Sequence, residues 1–286
     1  MVRPVAVGID GSAASLAAAA WAAREAVLRR TGLALVSAWS GPGATSPGAP
    51  GEAARRRWAS RSLSLAYDRI RGRHPALEVS REEREGPPVD VLLAAGERAQ
   101  LLVLGSRGLG GRATPVLGST GLRTAARARF PVALLPPETA AVPDPARPVL
   151  LALDVRDPAD DVIAFAFEES ARRGVELHAR YAWKPSLLPV SYPASPQPRR
   201  LGLAARRETA RLSAALRPWR DKWPRVRVVE DARMDTGPAG VAAGSGNACL
   251  TVLGHRTRAH GGLLVGPVTR TVLQLAESAV ALVPHT

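Results

Sequence analysis

Leu101-Leu-Val-Leu-Gly-Ser-Arg-Gly108, nine further residues, and then Gly118-Ser119-Thr120 form the stretch on which the reading of this chain turns. The apolar residues Leu101 to Leu104 make a buried strand. Gly105 and Gly108 tolerate positive φ and let the backbone come close to an anion. Ser119 and Thr120 open a helical run to Arg127, whose first amides are unpaired and carry the positive end of the helix dipole. A second strand, Val132–Leu135, comes next. Strand, glycine loop and helix start together make a phosphate site, lined by the amides of Ser106 to Gly108 and of Gly118 to Thr120. Ser119 Oγ can donate to a phosphate, cap its own helix, or do both. Arg107 and Arg112 are each either partners of the outer phosphates or solvated loop cations. The segment Gly108-Leu-Gly-Gly111 is flexible enough to close over a ligand.

Working outward, Val5-Ala-Val-Gly-Ile-Asp10-Gly-Ser12 is a short strand ending in an acid and a Gly-Ser turn, and Ala13–Arg30 is an alanine-rich helix. The spacing G-x2-G-x9-G-S-T resembles the ATP-binding signature of the universal stress protein family. The resemblance implies that Asp10, with Gly11 and Ser12, contacts a nucleotide and that the end of the second strand, near Ala38, lines the adenine pocket. It adds Gly105, Arg107, Gly108, Gly118, Ser119 and Thr120 as the phosphate side. Taken alone, Asp10 reads equally as a turn or helix-capping acid.

The chain repeats itself. Ala6-Val-Gly-Ile-Asp10 returns as Leu150-Leu-Ala-Leu-Asp154, Leu101-Leu-Val-Leu-Gly105 as Leu250-Thr-Val-Leu-Gly254, and Trp21 and Glu25 as Phe165 and Glu169. A period near half the chain is a tandem duplication. It predicts one domain over 1–138 and a second over 148–286, joined by the proline-rich linker Pro136–Pro145. Each half alternates strands and helices, which predicts an α/β fold of two tandem open parallel five-stranded sheets with helices on both faces. Strands are expected at Val5–Asp10, Leu33–Trp39, Leu77–Arg81, Leu101–Gly105 and Val132–Leu135, and at Val149–Asp154, Val175–Trp183, Val226–Val229, Leu250–Gly254 and Val280–Val283. The resemblance implies a strand order of 3-2-1-4-5, with ligands at the carboxyl ends of the strands where that order reverses. It also implies that the terminal strands of the two halves meet across a pseudo-two-fold axis within the chain. Pairing of whole chains into a homodimer is then optional.

The second half departs from the signature. His255-Arg256-Thr257 follows Gly254, so threonine replaces the second glycine, and Pro267 stands where Ser119 stands in the first half. Proline offers neither a hydroxyl nor an amide, and the β-branched Thr257 resists positive φ. The expectation is a lost or weakened nucleotide site. The alternative is a different anion site rebuilt from Thr269, or from Arg256 with His255.

The net charge is +14, yet lysine occurs only at Lys184 and Lys222. The arginines, including Arg55-Arg56-Arg57, Arg172-Arg173, Arg199-Arg200 and Arg206-Arg207, are scattered, most of them on predicted solvent faces of helices, not interleaved with aromatics, and no nucleic-acid-binding motif appears. Specific nucleic-acid binding is therefore not expected. The sole cysteine, Cys249, sits in an apolar run as a small hydrophobe. No apolar run reaches spanning length and no signal peptide is visible, so a cytoplasmic protein without membrane contact is expected. G-x4-G-K-[ST], G-x-G-x-x-G after strand one, G-x-S-x-G and H-E-x-x-H are all missing from the sequence, which argues against a P-loop ATPase, a nicotinamide enzyme, a triad hydrolase and a zinc protease. The resemblance implies an ATP-binding stress-response regulator acting through nucleotide-dependent conformation or contact with a protein partner, with Mg²⁺ as an optional companion of ATP. Two alternatives stay open: a slow ATP hydrolase on the same fold, and an interaction module that binds no nucleotide.

Overall fold

A computed structural model describes residues 2–40, 51–105, 119–136, 146–183, 198–234, 238–256 and 266–285. The first half runs β1 (Val5–Gly8), α1 (Ala13–Leu28), β2 (Leu33–Trp39), α2 (Glu52–Arg73), β3 (Val79–Glu85), α3 (Pro88–Glu97), β4 (Leu101–Gly105), α4 (Ser119–Arg127) and β5 (Val132–Leu135). The second runs β6 (Val149–Ala152), α5 (Asp160–Arg173), β7 (Leu177–Trp183), α6 (Pro198–Lys222), β8 (Val228–Met234), α7 (Pro238–Ala243), β9 (Leu250–Arg256), α8 (Pro267–Leu275) and β10 (Ala279–His285). All strand pairings within a half are parallel, in the order β3-β2-β1-β4-β5 and, in mirror sequence, β10-β9-β6-β7-β8.

One expectation is corrected. There are not two five-stranded sheets but one sheet of ten strands, because β5 and β10 pair antiparallel, with Val132, Ala133 and Leu134 opposite Leu282, Ala281 and Val280. The cause is the apolar edge that each half presents: β5 and the inner part of β10 are buried throughout, and an unpaired apolar edge strand recruits another strand. The two outer strands are corrected too. β3 and β8 begin two residues later than the apolar content suggests and run through Ser80-Arg-Glu-Glu-Arg-Glu85 and Glu230-Asp-Ala-Arg-Met234. They are the edges that remain open, and charge along an open edge discourages further strand addition.

The sheet divides the core into two layers. Alternate residues of the inner strands, such as Val5, Val7, Leu101, Val103 and Ala133, face α1 and α2, while Val149, Leu151, Val252 and Ala281 face α5 and α6 in the same layer. Ala6, Leu102, Leu104, Val132, Leu134, Val280 and Leu282 face the opposite layer with α3, α4, α7 and α8. Helix α1 buries Ala18, Ala19, Ala22, Ala23 and Ala26; these small side chains let its backbone lie close to the sheet.

Where α1 and α5 approach each other, the halves share a buried ion cluster. Arg29 Nη2 donates to Glu169 Oε1 at 2.6 Å, Arg173 bridges Glu25 and Glu169, and Arg172 adds a contact to Glu169. The side chains of Glu25, Arg29, Glu169 and Arg173 are all less than a tenth exposed. The expectation that Arg173 lies on a solvent face is thus corrected: Glu25 and Arg29, one turn apart, recur as Glu169 and Arg173, so the duplication places each carboxylate against the other half's arginine. Burial pushes Glu25 up, with Glu169 adding to it, and this outweighs Arg173 and Arg29. Burial also acts upward on Glu169, but Arg173, Arg29 and Arg172 together hold it below the usual carboxylate range. Cys249 is buried, as expected, and burial raises its thiol.

Candidate functional site

In the first half the strand order reverses between β1 and β4, which lie side by side with Val7 opposite Val103. β1 ends at Gly8, two residues short of the expected Asp10, and this pairing brings Asp10, just beyond its carboxyl end, next to the end of β4 at Gly105 and the first turn of α4. Helical crossovers on both faces of the sheet are what allow two strands so distant in sequence to meet. Asp10 is exposed; its Oδ1 accepts the amide of Ser12 at 2.9 Å, and its own amide lies 3.4 Å from Ser15 Oγ. Ser12 caps α1 by accepting the Ser15 amide at 3.1 Å. Both bland roles, turn acid and helix cap, are therefore filled at this turn. Gly11 sits at φ +84°, and a Cβ there would lie 2.9 Å from Trp58 Nε1, so the position is glycine for conformation and for space.

Ala38 lies half-buried near the end of β2, opposite Arg84 of β3. Thr120, half-buried in the first turn of α4, gives its carbonyl to Thr124 Oγ1 at 2.8 Å. Gly105 is close-packed: a Cβ would lie 2.9 Å from the backbone of Ala14 in α1. The glycine thus lets the helix that follows β1 cross the end of β4. Arg107, Gly108, Arg112 and Gly118 lie outside the described residues, as does the side chain of Ser119.

Sequence reasoning missed Trp58. This half-exposed indole of α2 donates to the Asp10 carbonyl at 2.9 Å and roofs the turn. The signal was a single aromatic inside the arginine-rich run Arg55–Ser60, at helical spacing from Ser62.

The second half has a cleft of about 510 Å³ at the corresponding strand ends. Its lining includes Asp154, Ala182 and Gly254, the counterparts of Asp10, Ala38 and Gly105, together with Arg256 and Thr269. His255 is not part of it. Successive residues of a strand face opposite ways, and His255 is buried with Nε2 3.2 Å from the carbonyl of Ala126 in α4.

These features define a tandem α/β protein with corresponding residues at the strand ends of its two halves. The sequence profile described as the universal stress protein family matches residues 1–136 and again residues 145–284. A universal stress protein of Mycobacterium tuberculosis is 33% identical over 288 residues, covering 96% of this chain and 95% of its own length. The chain belongs to the universal stress protein family. Among solved structures, a universal stress protein from Archaeoglobus fulgidus has the same fold over 99% of this chain and 98% of its own, with a TM-score of 0.68 at 14% identity. A shorter universal stress protein solved in complex with cAMP is 27% identical and covers 46% of this chain and 96% of its own, with a TM-score of 0.38. Among the described residues no helix is long and apolar enough to cross a membrane, and no cluster of three or more metal-ligating side chains occurs.

Proposed function

We propose that the first half binds ATP and that occupancy of this site biases the chain's contact with a protein partner. The observation that carries the reading is the placement of an exposed carboxylate, Asp10, beside the end of β4 and the start of α4, at the point where the strand order reverses. Of the Asp10 carboxylate only Oδ1 is engaged among the described residues, which leaves the other oxygen for a ribose hydroxyl or for a Mg²⁺ ion carried by the phosphates. Ala38 borders the adenine side. Gly105, Gly108 and Gly118 with the amides of Ser119 and Thr120 form the phosphate side, where helix-start amides favour anions. Arg107 meets the outer phosphates. The G-x2-G-x9-G-S-T signature is whole in this half alone, so the reading assigns one ATP per chain.

Calorimetric titration of the full chain with ATP tests it. Binding is expected at one site per chain, lost in Gly118→Val while far-UV circular dichroism is unchanged, because a valine side chain fills the phosphate space. Wild-type affinity in a folded Gly118→Val protein overturns the proposed site, and two equivalents of ATP per chain overturn the assignment to one half. ADP accumulating during the titration, and abolished by Asp10→Ala, turns the reading from regulator to slow hydrolase.

A further inference from the structure

The cleft of the second half has the wrong chemistry for a triphosphate and the right chemistry for something smaller. Its walls are largely apolar, with Leu153, Val162, Val241, Leu253 and Val268 among them. At about 510 Å³ it falls within the usual range of small-molecule sites. Its charged groups are mostly committed to one another: Arg180 donates to Asp231 Oδ2 at 3.1 Å and to the Gly240 carbonyl at 2.8 Å, and Arg256 pairs with Asp157. Arg156 forms no ion pair among the described residues. Its guanidinium hydrogen-bonds the hydroxyl of Tyr181, which Glu208 also holds; burial raises this phenol above its ordinary value, Glu208 adds to the rise and Arg156 opposes it. Among the described charged lining residues Arg156 and Asp154 stand outside these ion pairs, and Arg156 is the cation that an acid group can meet.

A second feature is independent of charge. Trp183, the last residue of β7, lines the cleft and is only 4% exposed, and its Nε1–H is buried with no hydrogen-bond partner among the described residues. An unpaired buried donor is costly, and a ligand acceptor would remove that cost. At the far wall, α8 starts at Pro267 after Gly266; Val268 and Thr269, in its first turn, both line the cleft. Their amides are free of the helix ladder, while Pro267 contributes none.

We propose that the second half binds a small organic monoanion with a flat apolar body, a ligand that is not a nucleotide. Its acid group sits between the first turn of α8 and Arg156, its body lies along Val162 and Leu253, and an acceptor on it receives a hydrogen bond from Trp183 Nε1–H. The site is independent of the ATP reading for the first half.

The test is fluorescence titration of the full chain with 8-anilinonaphthalene-1-sulfonate, an aromatic body with a single sulfonate. One saturable site per chain is expected, with no displacement by millimolar ATP. Arg156→Gln, a change at an exposed side chain that leaves the fold intact, is expected to weaken binding about fivefold through loss of the charged hydrogen bond. Trp183→Phe, checked for fold by far-UV circular dichroism, is expected to weaken the binding of an acceptor-bearing analogue, a hydroxynaphthalene sulfonate, more than that of the parent probe. Stoichiometric displacement by ATP overturns the proposal, as does non-saturable binding or wild-type affinity in Arg156→Gln. If Trp183→Phe fails to fold, Arg156→Gln decides alone.

Discussion

In the first half Asp10 Oδ1 accepts the amide of Ser12, and Ser12 then caps α1; in the second, Asp154 Oδ1 accepts the amide of Arg156, and α5 starts on Ala159 with no side-chain cap. The acid that shapes the turn has been kept in both halves. The residue two places on has diverged, from a small hydroxyl to a long cation that reaches the cleft. The strand ends differ in the same way. Above Gly105 lies the backbone of Ala14, whereas a Cβ on Gly254 would meet the side chains of His285 and Val162, at 3.0 and 3.3 Å. One half packs its strand end against helix backbone; the other packs it against side chains.

The largest asymmetry is expected in the ion cluster. Glu169 faces three arginines, and Glu25 faces two, because Leu28 stands where Arg172 stands in the other half. Glu169→Gln should cost about 3–5 kcal/mol by leaving buried arginines uncompensated, and Glu25→Gln should cost clearly less, since burial already favours its neutral form. Denaturant unfolding of the two variants at neutral pH measures the gap; equal losses would show that the cluster is symmetric. The pH dependence comes from the lowered pKa of Glu169. Its contribution is present above the ordinary carboxylate range, about pH 4.3, and is lost as pH falls through the lower folded value. The acid-side slope of stability should therefore flatten in Glu169→Gln.

Next in size is the strand end. Gly105→Val should destabilise by about 1–3 kcal/mol because the backbone of Ala14 cannot move aside, and Gly254→Val should cost less because the atoms nearest Gly254 belong to side chains. A Gly105 variant that keeps wild-type stability would show that α1 does not press on β4, and its ATP binding would then be informative. The helix caps come third: Ser12→Ala should cost about 1 kcal/mol, while Ala159→Ser should gain a few tenths, both read as shifts in the denaturation midpoint. Smallest is the helix end. Arg30 holds φ 52° where the second half has Gly174 at φ 66°, and the amides of Thr31 and Val175 close the two helices identically, onto Ala26 and Ser170. Arg30→Gly should stabilise by about 0.5 kcal/mol, the relief of left-handed strain outweighing the added freedom of the unfolded chain. A loss of stability would mean that the Arg30 side chain holds something the backbone does not reveal.

Much of this was legible before the structure. Asp10, Gly105 and the repeat of Leu150–Asp154 marked the strand ends and the duplication, because a strand buried on both faces is a continuous apolar run with few rival readings. The outer strands were misplaced by two residues because β3 and β8 are edge strands whose side chains are mostly charged, so apolar content pointed upstream to Leu77 and Val226. The ion cluster was hidden for a different reason. Glu25 with Arg29 and Glu169 with Arg173 look like ordinary solvent-exposed helix pairs one turn apart, and only the contact between α1 and α5 makes them interior. Trp58 was missed because its partner is a main-chain carbonyl, which has no sequence signature.

The antiparallel seam between β5 and β10 has a thermodynamic corollary. Were the halves separate molecules, the seam would be an association equilibrium, with its occupancy set by how much protein is present and its midpoint drifting with dilution. Tethered in one chain, the two strands meet at an effective concentration on the order of millimolar or higher, and the seam becomes a first-order event blind to dilution. A pair of identical subunits must also carry every substitution twice. A single chain is released from that rule, so Arg156 and Pro267 can stand in one half while Ser12 and Ser119 are kept in the other.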